Sequence, residues 1–152
     1  MHNHDFKKFP ELSNAQMNLH YHSSPHKQIV EDFRATVTKV HDGDTITLKW
    51  NERDFEFPLR LRDIDAPELN VAGGERAKLH LQNLLEGKEV EVLIDPDNRT
   101  EKWGRLLGDV MQAGVVMSEE MTRMGEATPF DERRETELPN IERELRTNQW
   151  LT

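Results

Sequence analysis

The sequence contains no cysteine. Disulfides and thiolate metal sites are therefore excluded, while the redox compartment stays open. Long apolar runs are missing as well: the first thirty residues, MHNHDFKKFPELSNAQMNLHYHSSPHKQIV, hold nothing long enough for a signal-peptide core or a membrane span. The expectation is a soluble, cytoplasmic protein with no membrane partner. A basic excess is also lacking, for the net charge is -9. A protein that gripped nucleic acid mainly through its surface field would carry the other sign, so any phosphate binding here must be local.

What is present fits one domain and a tail: 152 residues bury one core but not two comfortable ones. Hydrophobic residues make up 35% and charged residues 32%, yet the apolar ones are grouped in patterned segments. His2, His4, His20, His22 and His26 lie among Asn, Ser and Pro, a composition with little to bury. Residues 1–30 read as a flexible tail and residues 31–152 as the folded domain. A metal site from His20, His22 and His26 is the sharper alternative; it would need orienting partners that the segment does not visibly supply.

From Phe33 the pattern changes. In FRATVTKVHDGDTITLKW, Val and Ile alternate with Thr and Lys on either side of Asp42-Gly43-Asp44, which predicts two strands joined near an Asp-Gly turn. Further strands are expected in DFEFPLRLRDID, in KEVEVLID (88–95) and in GRLLGDVMQAG (104–114). Between the third and fourth, GERAKLHLQNLLEG sets Ala77, Leu79, Leu81, Leu84 and Leu85 at spacings suited to one helix face, with Gly87 as the stop. Ser118 is expected to cap a short helix ended by Gly125, and helical stretches over DERRETEL and NIERELRTNQW are interrupted at Pro139. No internal repeat is visible. This order predicts an α+β, mainly β fold: a five-stranded OB-fold barrel with about three attached helices.

Four charged pieces fall at strand ends or turns, where a rigid barrel displays functional groups. Asp42-Gly43-Asp44-Thr45 alone reads as a hairpin turn, and it lacks the ligand pattern of an EF-hand. Asp65-Ala66-Pro67-Glu68 alone reads as a strand exit, with proline forcing Ala66 extended. Arg60 and Arg62 would ordinarily be a solvated face, and RTEKWGR (99–105) a charged loop. Together they mix carboxylates with guanidiniums, a combination able to grip a metal ion and a phosphate at once. Arg60 and Asp65 are an odd number of residues apart, so a regular strand would point them to opposite faces. Both can enter one site only if the strand bulges or bends between Leu61 and Ile64.

From about Phe33 to Trp150 the chain resembles the thermonuclease family, the staphylococcal nuclease-like domains. The resemblance runs in order through DGDT (42–45), RLRDIDAPE (60–68), RTEKWGR (99–105), RMGEA (123–127) and Asn148-Gln149-Trp150. It implies a calcium-dependent nuclease acting on DNA, RNA or both, leaving a 5'-hydroxyl and a 3'-phosphate. Carried over residue by residue, it implies that Asp44, Asp65 and the carbonyl of Ala66 bind Ca²⁺, with Mg²⁺ a poorer substitute. Arg60 and Arg105 would hold the scissile phosphate, Glu68 would position or activate the attacking water, and Lys102 and Trp103 would contact a terminal phosphate and its neighbourhood. The hard oxygen ligands and the bidentate guanidinium forks agree with that chemistry on their own terms.

The sequence also departs from the pattern. Past Gly125, where the best-known member carries tyrosines beside the nucleotide, this chain reads EATPFDERRET; Asp63 stands where a small residue is common, and Trp103 replaces the usual tyrosine. The competing reading is a catalytically silent nucleic-acid- or protein-binding barrel, which would have no need of Asp44, Asp65, Glu68, Arg60 and Arg105 together. A third is a nuclease narrowed by its tail to one partner. The protein is expected to be a monomer, and removal of residues 1–28 is expected to leave both cleavage and thermal midpoint nearly unchanged.

Overall fold

The computed structural model describes residues 5, 6, 8–101 and 104–130. Strands β1 (Phe33–Asp42), β2 (Thr45–Lys49) and β3 (Phe57–Leu61) form an antiparallel meander. The two-residue β4 (Ile64–Asp65) and helix α2 (Gly74–Leu85) follow, then β5 (Glu89–Leu93), which pairs with β1, and β6 (Leu106–Gln112), which pairs with β5. Parallel pairing of β3 with β6 closes the sheet. The result is the expected five-stranded OB-type barrel, which leaves no long edge exposed. A short β7 (Val115–Val116) turns back to pair antiparallel with β6, α3 (Met117–Arg123) follows it, and β8 (Thr128–Pro129) pairs with β4 outside the barrel.

Alternation explains the strands and also what ends them. Along β1, Ala35 and Val37 are buried, and then Val40 and Asp42; the inward positions change from odd to even across the register shift between Val37 and Lys39. A bulge inserts the extra residue that this change of parity needs. Its consequence is that Asp42 arrives at the turn facing inward.

Helix α2 buries Ala77, Leu81 and Leu85, one residue per turn. Leu79, expected on that face, is 54% exposed, because a residue two positions from Ala77 points to the opposite side of a helix. Gly87 adopts the left-handed φ of +80° that stops the helix as expected. Ser118 does not cap α3; Val116 does, without a side-chain bond. Inside the helix, the Ser118 hydroxyl and amide donate instead to the buried Asp109 of β6. The helical stretches expected over DERRETEL and NIERELRTNQW lie outside the described residues.

The largest departure is the N-terminal segment. Expected as a solvated tail, it places Glu11, Leu12, Gln28 and Ile29 in the interior. Gln28 accepts from the Leu12 amide at 2.6 Å and donates to the Pro10 carbonyl at 3.0 Å, so the polar atoms it buries are satisfied. Between these points runs α1 (Asn14–His20), opened by a capping box of Ser13 and Gln16. His26 touches the Phe55 ring and has its Nε2 2.7 Å from the Pro10 carbonyl. The composition is polar, and most of the segment is at least partly exposed, but the polar groups it does bury are partnered: Gln28 within the segment and Glu11 to Arg53 and Arg99.

Candidate active site

The break in the third strand falls where parity requires it. Strand β3 ends at Leu61, Arg62 and Asp63 form a turn, and Ile64–Asp65 leaves the barrel to pair with Thr128 and Pro129. Arg60 staples this break: one guanidinium nitrogen donates to the Leu61 carbonyl and, at 2.8 Å, to the Ile64 carbonyl. Its other terminal nitrogen lies 3.4 Å from Asp44 Oδ2 and 3.6 Å from Asp65 Oδ1. Arg62 turns away and pairs with Asp63 at 3.2 Å. Arg60 near the end of β3 and Arg62 in the turn after it thus have different surroundings, and of the two it is Arg60 that lies beside Asp44 and Asp65.

Asp44 is held at the tip of the β1–β2 hairpin. Its amide donates to Asp42 Oδ1 at 3.0 Å, the Thr45 hydroxyl donates to its Oδ1 at 3.1 Å, and the Ala66 amide donates to its Oδ2 at 2.9 Å. Gly43 is required by space: a Cβ there would sit 2.7 Å from the Ala66 Cβ and 2.8 Å from the Ala77 Cβ. The hairpin tip, the β4 exit and helix α2 therefore close on one another. Burial pushes the Asp44 carboxyl up to about 6, opposed by the Arg60 guanidinium and reinforced by Asp42.

That arrangement suits a hard cation. Asp44 and Asp65 offer carboxylate oxygens on either side of a guanidinium that already occupies the place of positive charge, and a cation would relieve the desolvated Asp44. No group of three or more His, Asp or Glu converges as a metal cage among the described residues. The protein donors would be few, which leaves coordination positions for water and substrate oxygen.

Arg105 directly precedes β6 and forms a two-bond fork with Glu101, both bonds 2.8 Å. Leu107 is the register partner of Arg60, so alternation sets Arg105 and Arg60 on the same outer face of neighbouring strands. Glu68 lies two residues past Ala66, partly exposed; its carbonyl accepts from the Val71 amide at 3.0 Å. Lys102 and Trp103 lie outside the described residues.

Two features were not anticipated from sequence. Glu101 occupies the Arg105 fork, and the only hint was an acid four residues before a base within RTEKWGR. Next, burial and then the positive charges of Lys39, Lys78 and Arg105 hold His41 below the ordinary imidazole range. Three basic side chains thus stand near enough to His41 to act on it. They come from β1, α2 and the 99–105 loop, which no sequence window spans.

The sequence profile of the Staphylococcal nuclease homologue family matches residues 58–150. A micrococcal nuclease of Shigella flexneri is 40% identical over 79 residues, covering 52% of this chain and 42% of the relative. A probable staphylococcal-like nuclease CAN1 of Oryza sativa subsp. japonica is 36% identical over 83 residues, covering 53% and 24%. The Arabidopsis thaliana staphylococcal-like nuclease CAN1 is 32% identical over 101 residues, covering 64% and 30%. The chain spans less than half the length of these relatives. Because the profile covers more than half of its residues, from the broken strand through the 99–105 loop to Trp150, the chain belongs to the staphylococcal nuclease homologue family.

Proposed function

We propose that the chain is a calcium-dependent nuclease that hydrolyses phosphodiester bonds of DNA, RNA or both, acting as a monomer. The observation that carries this reading is the position of Arg60 between Asp44 and Asp65 across the broken strand. A cationic fork and a pair of hard oxygen donors share one small volume, as recognition of a metal-bound phosphate requires. Family membership and the nuclease names of the relatives support the same class.

In this reading Asp44, Asp65 and the Ala66 carbonyl hold Ca²⁺, which supplies Lewis-acid neutralisation of the phosphate when bound. Mg²⁺ demands a stricter octahedral shell and suits so small a ligand set less well. Arg60 and Arg105 exchange their carboxylate partners for the scissile phosphate and stabilise the charge added in the transition state. Glu68 orients the water and accepts its proton. The water oxygen bonds to phosphorus opposite the 5' oxygen; the P–O5' bond breaks, the 5' oxygen takes a proton from solvent water and leaves as a hydroxyl, and the phosphate stays on the 3' side. Lys102 and Trp103 flank a terminal phosphate.

The test is incubation of the purified chain with plasmid, linear single-stranded DNA and RNA in Ca²⁺, Mg²⁺ or chelator. Cleavage in Ca²⁺ that chelator abolishes and added Ca²⁺ restores is the expected result. Full activity in chelator would sink the metal assignment, and binding without cleavage of any substrate would favour the silent barrel.

A further inference from the structure

The N-terminal segment lies outside the residues matched by the family profile, yet it grips the Arg105 loop at both its base and its tip. At the base, the buried Arg99 donates to the Ile29 carbonyl at 2.6 Å, the Leu12 carbonyl at 2.8 Å, Asn14 Oδ1 at 3.2 Å and Glu11 Oε2 at 3.3 Å. The Arg99 carbonyl in turn accepts from the Leu107 amide at 2.7 Å, so this anchoring is passed to the start of β6. At the tip, Gly104 has a left-handed φ of +93°, and a Cβ there would lie 2.7 Å from the Glu11 carbonyl oxygen. Between these points the turn closes on itself, with the Glu101 amide on the Arg105 carbonyl at 2.8 Å and the Gly104 amide on the Glu101 carbonyl at 2.9 Å.

Glu11 also reaches the other side of the site. Its second oxygen accepts from Arg53, whose guanidinium lies 4.6 Å from the ring centroid of Phe57, the first residue of the strand that carries Arg60. One carboxylate therefore ties the Arg105 loop to the foot of β3.

We propose that Glu11 is a positioning residue for phosphodiester cleavage, and that the N-terminal segment is a strap which fixes the Arg105 guanidinium relative to Arg60. This rests on the reading that both arginines bind the scissile phosphate. The β3–β6 ladder fixes where the chain leaves the loop at Leu106, and the turn's own hydrogen bonds set its internal shape; the strap adds the constraint on how the turn as a body sits against the barrel. A buried Arg–Glu–Arg cluster is an inefficient source of stability, since well-packed apolar residues commonly do as well. What directional ion pairs add is orientation, and a preorganised donor acts only when it is held within a fraction of an ångström.

The test is a double-mutant cycle on the full chain: Glu11→Gln, Arg105→Ala and the pair, assayed on single-stranded DNA in Ca²⁺ at a temperature where circular dichroism shows each variant folded. Glu11→Gln keeps the size and loses the charge. It is expected to lower kcat about ten- to a hundred-fold with KM little changed, and to lower it less than about two-fold once Arg105 is already alanine. Glu11→Asp, which keeps the charge, should recover part of the loss. An equal fractional loss in both backgrounds would mean a merely structural role and would overturn the proposal. If Arg105→Ala itself cost nothing, the phosphate-binding reading would fail first and take the strap with it, a different signature. Should Glu11→Gln not fold, Asn14→Ala, which removes one bond to Arg99, enters the same cycle under the same criterion.

Discussion

Truncating Glu11 to alanine should cost far more than its place in a polar, histidine-containing segment suggests. The side chains of Glu11, Arg53 and Arg99 are 1%, 0% and 1% exposed, so the substitution strands two guanidiniums away from water. Arg99 keeps its bonds to Ile29, Leu12 and Asn14, whereas Arg53 keeps one, to the Lys27 carbonyl at 2.9 Å, and already has Nε and one terminal nitrogen without a partner among the described residues. Burial holds both guanidiniums below their ordinary range and Glu11 works against it, so little remains to offset its loss. Breaking a buried pair from one side costs about 3–5 kcal/mol, against a total stability of roughly 5–15 kcal/mol for a domain. At about 2–4 °C per kcal/mol for a chain of this size, the thermal midpoint should fall by roughly 6–20 °C. Urea titration followed by tryptophan fluorescence measures the same quantity at constant temperature. Arg34→Ala is the control: its pair with Glu89 is largely exposed, and it should cost less than about 1 kcal/mol. If Glu11→Ala were no worse than this control, the strap would not be seated on the barrel, and the expectation that residues 1–28 can be removed without loss would be restored.

Arg60→Lys and Arg105→Lys should each lower cleavage by about 10²–10³, because a point charge cannot replace a fork aimed at developing charge; Arg62→Lys, whose guanidinium faces Asp63, should lose little. Equal losses in a plasmid-nicking assay would refute the assignment of roles. Glu101→Gln removes a charged competitor for the Arg105 fork, and since that pair is partly exposed its effect should be a fall in KM of about two- to five-fold; a rise in KM would show that Glu101 holds Arg105 in its working position. Burial raises the Asp109 carboxyl despite hydrogen bonds from Ser118 and Val110. A raised folded-state value favours the fold below the unfolded carboxylate range and loses that contribution as pH rises through it. Asp109→Asn should therefore gain on the parent in urea midpoint as pH rises above the unfolded carboxylate value of about 4, and a difference that stays constant with pH would rule this out.

The barrel was legible because its strands alternate, and the break after Leu61 because Arg60 and Asp65 have opposite parity. The carboxylate and arginine motifs were legible as local strings, although their meeting depends on Gly43, Ala66 and Ala77 being small enough to let three segments close. The strap was illegible for a physical reason. Glu11 finds its partners 42 and 88 residues away, and nothing in the local composition distinguishes a polar residue destined for a buried pair from one destined for water. Leu79 and Ser118 show the same limit on a smaller scale: the exposed leucine sits on a helix with enough other apolar residues to fill its face, and the serine hydroxyl answers a carboxylate on another strand. Lys102, Trp103 and Asn148-Gln149-Trp150 lie outside the described residues.

The β4–β8 ladder is two residues long, and Asp65 is one of its rungs, paired with Thr128, while the Phe130 amide is bound to the Asp63 carbonyl at 2.8 Å. Arg60 and Asp44 belong to the closed barrel, whose strands brace one another all the way round. Asp65 is mounted instead on a ladder of two rungs outside the barrel, as short as any among the described residues, at the point where the chain runs on past Phe130. Heating or tension applied beyond that residue should open this ladder well before the barrel yields, following the general rule that short, exposed hydrogen-bonded units open first. The proposed calcium site would then come apart by losing one of its two carboxylates while the protein around it stayed folded, so that inactivation and unfolding would be two transitions at separate temperatures.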